Sequence, residues 1–215
     1  VDYNTIISKY FNSNRMKIFL RLTFTLLCFV SKAQINSVNW NKNSYAEYNS
    51  KSFKNLDAVK QSVNSNNIDF ALLNAAVFYR TNEERVKNGR KEFIFSSALE
   101  NAAFEHSKDM VNKNFFSHNS PIGKKKTMSK RLELVGVTLT ACAENIALNY
   151  CQNSSYWEIA DLLVNQWMDS PGHRKNILNP DYKYLGCGVF NFKDSSFKTY
   201  IGVKATQNFS ARDAE

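Results

Sequence analysis

Trp167-Met168-Asp169-Ser170-Pro171-Gly172-His173-Arg174-Lys175-Asn176-Ile177-Leu178 is the stretch on which the reading of this chain turns. An amphipathic helix runs into it: Ser155 and Glu158 form a capping box, and Ile159, Leu163 and Trp167 recur at helical spacing behind it. Pro171-Gly172 then reads as a tight turn, because proline fixes φ and glycine accepts the dihedral a reversal needs. A histidine directly after such a turn, His173, is held at a defined place on the surface. Two other stretches put polar side chains beside the end of an element, Phe116-Ser117-His118 and Ala143-Glu144-Asn145.

Working outward, residues 68–87 are predicted as a helix from the spacing of Ile68, Leu72, Ala76 and Tyr79, ended by Asn88-Gly89. Ser97 opens the next helix, with Glu100 as its capping-box partner. Leu99, Ala103, His106 and Met110 share one face of it, and it runs out at Asn114-Phe115-Phe116. His106, on that apolar face, is expected to be a core histidine with a bonded ring nitrogen. A short helix over residues 128–134 stops at Gly136. Residues 137–140 read as a strand, which Ala143-Glu144-Asn145 leaves. Later, Leu185, Cys187 and Val189 alternate with Gly186 and Gly188. Ile201, Val203 and Ala205 alternate with Gly202 and Lys204, and a turn at residues 193–196 lies between the two strands. Helices first and antiparallel strands late give the α+β class, a small antiparallel sheet covered by helices.

The 215 residues, 43% apolar and 22% charged, suit one globular domain with extra segments. Residues 1–15 read as upstream sequence ahead of Met16. Residues 16–33 carry a basic start, an apolar stretch and the small residues Ser31 and Ala33: a secretory signal cut after Ala33. The rival readings are an uncleaved membrane anchor and a lipid on Cys28, against which the preceding Leu27 is bulky. The mature chain then has no transmembrane segment and is secreted or periplasmic. Residues 34–66, rich in Asn, Ser and Lys with aromatics in no period, read as a linker or loosely attached arm. The domain proper is set at 67–212.

Removing residues 1–33 takes five basic residues and one acid from the formal charge of +9, leaving +5. The dense basic cluster, Lys124-Lys125-Lys126 with Lys130 and Arg131, reads as a solvated loop or as a contact for an anionic wall polymer or headgroup. No nucleic-acid motif accompanies it, so nucleic acid is not an expected partner. Cys142, Cys151 and Cys187 remain, which in a secreted protein predicts one disulfide and one spare thiol, in any of three pairings. None stand in Cys-x-x-Cys spacing, so zinc-ribbon and thioredoxin readings lack support.

Taken in order, Asn82-Glu83-Glu84-Arg85, Phe116-Ser117-His118, Ala143-Glu144-Asn145-Ile146-Ala147, Trp167 through Leu178, and Leu185-Gly186-Cys187-Gly188-Val189 resemble the CAP superfamily. That superfamily comprises cysteine-rich secretory proteins, antigen 5 and pathogenesis-related proteins, with SCP-like extracellular domains; the likeness is greatest to its short bacterial secreted members. The resemblance covers about residues 70–209 and implies an α-β-α sandwich. It also implies a cleft with two histidines and two acids, for which the matching positions are His118, Glu144 and His173. The fourth position, three residues after the tryptophan, holds Ser170, and Asp169 stands one place earlier.

Two imidazoles and a carboxylate are suitable zinc ligands, so His118 and His173 are candidate ligands for zinc or another divalent cation. The His-Glu-x-x-His spacing that would make that signal strong is missing. In the metal-free alternative Glu144 hydrogen-bonds one imidazole and the cluster braces three loops. Hydrolysis would need a nucleophile: Ser117, Ser170 and Cys142 are near in sequence, but none lies in a Gly-x-Ser-x-Gly elbow. Two functions follow. One is a secreted binding or interaction module whose His/Glu cleft takes a metal, small ligand or cell-envelope component. The other is a secreted hydrolase, metal-assisted or serine-type. A Ser or Cys side chain within hydrogen-bond reach of either histidine would favour the second.

Overall fold

A computed structural model describes residues 40–214; the upstream segment and signal read at residues 1–33 lie outside the described residues. The elements run α1 (Ser50–Phe53), α2 (Phe70–Lys87), β1 (Ile94–Phe95), α3 (Ser97–Asn112), α4 (Met128–Glu133), β2 (Cys142–Cys151), α5 (Tyr156–Asp169), α6 (Pro171–Leu178), β3 (Tyr184–Phe192) and β4 (Ile201–Ser210). The strands form one sheet in the order β1-β3-β4-β2. Only the two-residue β1 is parallel to its neighbour; β4 runs antiparallel to both β3 and β2.

Strand alternation sorts the two faces of this sheet. On one, Lys204 Nζ donates to Met110 O (2.8 Å) and Thr206 Oγ1 shares a hydrogen bond with Ser107 Oγ (2.8 Å), so this face of β4 carries α3. Gly186 and Gly188 face the same way. A Cβ would fall 1.9 Å from Glu100 N at the first and 2.1 Å from Phe104 N at the second, so α3 rests directly on the backbone of β3. On the other face Gln207 Nε2 donates to Thr81 Oγ1 of α2 (2.7 Å), and α2 is joined to α5 by Arg80 Nε and Asp161 Oδ1 (2.7 Å). The result is an α-β-α sandwich, as the α+β reading expects.

The stripe Ile159, Leu163, Trp167 is fully buried. Trp167 also donates through Nε1 to Ile146 O (3.0 Å), closing one group on the outer edge of β2. The capping box at Ser155 forms as read, with Glu158 Oε2 accepting from Ser155 N (2.7 Å). The box read at Ser97 does not. The cap is Ser96, whose Oγ accepts from Leu99 N (3.3 Å), while Glu100 Oε1 accepts from Asn74 Nδ2 (3.1 Å). The first long helix begins at Phe70, capped by Asp69, rather than at Ile68.

Four further expectations are corrected. Pro171-Gly172 is not a reversal but the first turn of α6, where the missing proline N–H would have had no helical partner. Residues 137–140 form no strand beyond one isolated bridge, Val137 to Ala214. The strand begins at Cys142, which places Glu144 inside it rather than after its end. Cys142, Cys151 and Cys187 are free thiols. Cys142 and Cys151 stand at opposite ends of a ten-residue strand, and about 3.3 Å per residue separates them far beyond disulfide reach. Residues 40–66, finally, are packed rather than loose. Trp40, Phe53 and Val59 are buried, the Phe53 ring stacks on Tyr79 of α2 at 4.2 Å, and Tyr79 Oη donates to Tyr45 O (3.2 Å).

Candidate functional site

Glu144 is the third residue of β2 and pairs with Asn208 of β4, which directs its side chain to the α3 face. There it is 2% exposed. A carboxylate so buried needs compensation. Arg131 of α4, itself 3% exposed, donates through Nη2 to Oε2 at 2.7 Å. His118 donates through Nδ1 to Oε1 at 2.9 Å. Turning the Asn208 amide so that its nitrogen faces Glu144 adds a third donor at 3.2 Å. Burial alone would raise the Glu144 carboxyl; the His118 hydrogen bond and the Arg131 charge outweigh it and hold the group below its ordinary value. Arg131 also donates to Lys125 O (3.0 Å) and His118 O (3.1 Å), so one guanidinium fixes both the carboxylate and the loop that carries His118.

His106 backs the same loop from α3. Its Nε2 lies 3.1 Å from Ser117 O and 3.9 Å from Glu144 Oε1. Burial draws its pKa down to about 4, so it is neutral at pH 7. The expected core histidine with a bonded ring nitrogen is therefore present, and it sits behind the site. His118 differs: its side chain is 54% exposed. With Nδ1–H given to Glu144, Nε2 is the ring nitrogen left facing outward.

The next residue, Asn145, points to the opposite face by the alternation of the strand. Its Nδ2 donates to Gln207 Oε1 (3.0 Å) and to His173 O (3.2 Å), and its Oδ1 accepts from Asn176 Nδ2 (2.8 Å). Consecutive residues of one edge strand thus hold the two histidine-bearing segments, Glu144 the loop after α3 and Asn145 the start of α6. The His173 imidazole is half-buried, and that burial lowers its pKa.

Asp169 is exposed at the end of α5, and among the described residues no hydrogen bond or ion pair joins it to His118, Glu144 or His173. Nor does any Ser or Cys side chain among the described residues hydrogen-bond to either histidine: Ser117 Oγ accepts from Asn119 N (3.1 Å), and Cys142 Sγ faces Ser210 Oγ (3.5 Å). Among the described residues no group of three or more His, Cys, Asp or Glu side chains is placed to hold a metal ion. Glu144, the expected third ligand, has both oxygens occupied by Arg131 and His118. The donor set left for a cation is the two imidazoles. Arg131 and His106 were missed as site residues from sequence, the first counted with the basic cluster and the second with the core. Had Glu144 been placed in a strand, its burial would have required a cation close by.

Residues 78–209 match the Cysteine-rich secretory protein family, CAP. The chain belongs to the CAP superfamily. Its CAP domain is 38% identical over 123 residues to the uncharacterized protein YkwD of Bacillus subtilis, covering 57% of this chain and 44% of that protein. It is 39% identical over 109 residues to the uncharacterized membrane protein YlbC of the same organism, covering 51% and 29%. This chain therefore spans less than half the length of either relative. Among solved structures, an outer surface protein of Borrelia burgdorferi shares the fold at TM-score 0.50 and 18% identity, over 66% of this chain and 95% of its own. An extracellular SCP-domain protein of Bacillus anthracis is 33% identical, with TM-score 0.49, over 64% of this chain and 39% of its own. No described helix of the CAP domain is long and apolar enough to cross a membrane.

Proposed function

We propose that this CAP domain is a secreted or envelope-facing binding module whose recognition groups are His118, held by the buried Glu144–Arg131 pair, and His173, on the segment that Asn145 holds. The observation that carries the reading is the state of His118. It is exposed, its Nδ1 is fixed by a buried carboxylate, and among the described residues no hydroxyl or thiol side chain hydrogen-bonds to it, so what it offers outward is a single oriented ring nitrogen, Nε2. An oriented imidazole, with a second on the segment held by the next residue of the same strand, suits a ligand carrying a hydrogen-bond donor, or an exchangeable divalent cation such as zinc. Two protein ligands leave such a cation open positions for water or a partner group. Glu144 would then act on the ligand histidine from behind, as carboxylates beside metal-bound histidines do.

Zinc titration by calorimetry on wild type, His118→Ala and His173→Ala tests the metal form of this reading. Binding should be lost in both variants and should weaken below about pH 6.5, since only neutral imidazole binds metal. A single variant that keeps wild-type affinity shows that the histidines share no ion. No binding in wild type at neutral pH leaves the organic-ligand form of the module. The hydrolase alternative gains only if peptide or ester turnover is found that His118→Ala abolishes.

A further inference from the structure

At the far end of the sheet from His118, the connection between β3 and β4 and the loop before α2 enclose a cavity of about 480 Å³. Its lining joins Tyr200 and Phe192 to Ser195, Lys198, Thr199 and Asn66. We propose that this cavity binds a saccharide unit carrying an anionic group.

Three features point there. The first is aromatic. Tyr200 is 41% exposed and Phe197 beside it 47% exposed, with ring centroids 6.2 Å apart at 79°. Phe192 lies against Gly202, where a Cβ would fall 2.4 Å from its ring, so the absence of a side chain there gives that ring its place. The exposed Tyr200 ring beside Phe192 on this lining suits the C–H face of a pyranose.

The second is polar. Among the described residues the side chains of Ser195, Lys198 and Thr199 make no hydrogen bond, and so are available to sugar hydroxyls. An all-hydrocarbon guest would strip these groups of water and give nothing back. The third is charge. Lys193 Nζ is steadied by Asn66 Oδ1 (3.1 Å). The carboxylate of Asp194 is engaged by Tyr150 Oη (2.8 Å) and Ser196 N (2.9 Å). Lys193 and Lys198 against the single Asp194 leave the lining one positive charge in excess, which favours an acidic sugar over a neutral one. The volume falls in the usual range for small-ligand pockets, about 300–1,000 Å³.

This site is separate from the histidine cleft. Glu144 pairs with Asn208 and Cys151 with Ile201, so seven residues of strand, roughly 23 Å, lie between the two ends.

The test is calorimetric titration of the full chain with a hexuronate trisaccharide, the neutral hexose trisaccharide of the same linkage, inorganic phosphate and a long-chain fatty acid. The hexuronate should bind saturably, with the neutral sugar weaker by roughly tenfold and the other two not saturating. Tyr200→Ala should weaken the hexuronate by about tenfold or more, and Tyr200→Phe, which keeps the ring, should not. Lys198→Gln should erase the preference for the acidic sugar. Thermal midpoints show whether each variant folds; both positions are exposed, and the phenylalanine variant serves as the folded control. No saturable sugar binding overturns the proposal, as does binding that survives Tyr200→Ala and Lys198→Gln alike. Phosphate competing as strongly as the hexuronate would make this a plain anion site, and tighter binding of the fatty acid would make it a lipid site; either result overturns it.

Discussion

Glu144 is a charge buried beside a charge, and the cost of breaking such a pair exceeds what the pair contributes when intact, because one ion is left stranded. Arg131→Met is therefore expected to destabilise by about 3–5 kcal/mol in urea unfolding at pH 7, far more than Lys124→Met or Lys130→Met in the same basic cluster. The neighbouring histidine sets a pH dependence. His106 is neutral in the fold, its pKa near 4 against an ordinary 6.5, so below pH 6.5 the unfolded chain takes up a proton that the native state refuses. Stability is full above that value and falls as pH drops toward 4, by about 3 kcal/mol. Glu144 adds loss in the same direction at lower pH, since its carboxyl is depressed in the fold and its contribution disappears as pH falls through that folded value. Thermal midpoints between pH 7 and pH 4 should therefore fall steadily, and His106→Gln should flatten the upper part of that slope. At this scale the sequence put His106 in the core from its helical period alone. It did not reveal Arg131, because a basic residue in a run of lysines carries no mark of burial.

Among the elements, α5 and β3 carry the packing of the sandwich. Trp167→Ala should cost about 3–5 kcal/mol, the usual loss for truncating a buried large aromatic, and should free the Ile146 carbonyl on the β2 edge. Trp167→Phe keeps most of the volume and loses that hydrogen bond, so urea unfolding should place it well between wild type and alanine. Gly188→Ala tests the close approach of α3, since a methyl group there would meet backbone atoms at 2.1 Å. Circular dichroism and urea unfolding should show a severe loss, where Gly123→Ala, with nothing within 4 Å, shows little. The helices were legible because apolar spacing marks their faces. The Gly-Cys-Gly alternation of β3 was read as strand, but why the small residues stand there appears only when α3 is laid against them. The Pro171-Gly172 turn was misread for a local reason: the same dipeptide opens a helix when the next turn has a partner to pack on, as Ile177 has here.

For the molecule as a whole, Cys142, Cys151 and Cys187 are free thiols, so stability rests on packing. Reducing agent should leave the thermal midpoint of the domain unchanged, and all three should react with iodoacetamide after denaturation without prior reduction. The segment before α2 matters more. Removing residues 40–66 strips Trp40, Phe53 and Val59 from the aromatic cluster on α2, and the truncated domain should unfold at markedly lower urea. A shift below about 1 kcal/mol would mean that the cluster packs without consequence.

The sequence by itself determined the α+β class, the buried stripes of the helices and the two late strands, because each is a local pattern in which period and capping report burial directly, and it singled out the three segments of the candidate site. Tertiary structure alone decided how those segments meet. Glu144 and Asn145 serve opposite faces only because they lie within an edge strand, and Arg131 became the partner of Glu144 only because α4 folds over that face. Cys142 and Cys151 remain apart because a ten-residue strand separates them, and residues 40–66 are packed because their scattered aromatics, periodless along the chain, find one surface on α2. Burial and pairing between distant residues depend on which faces come together, which no local period records.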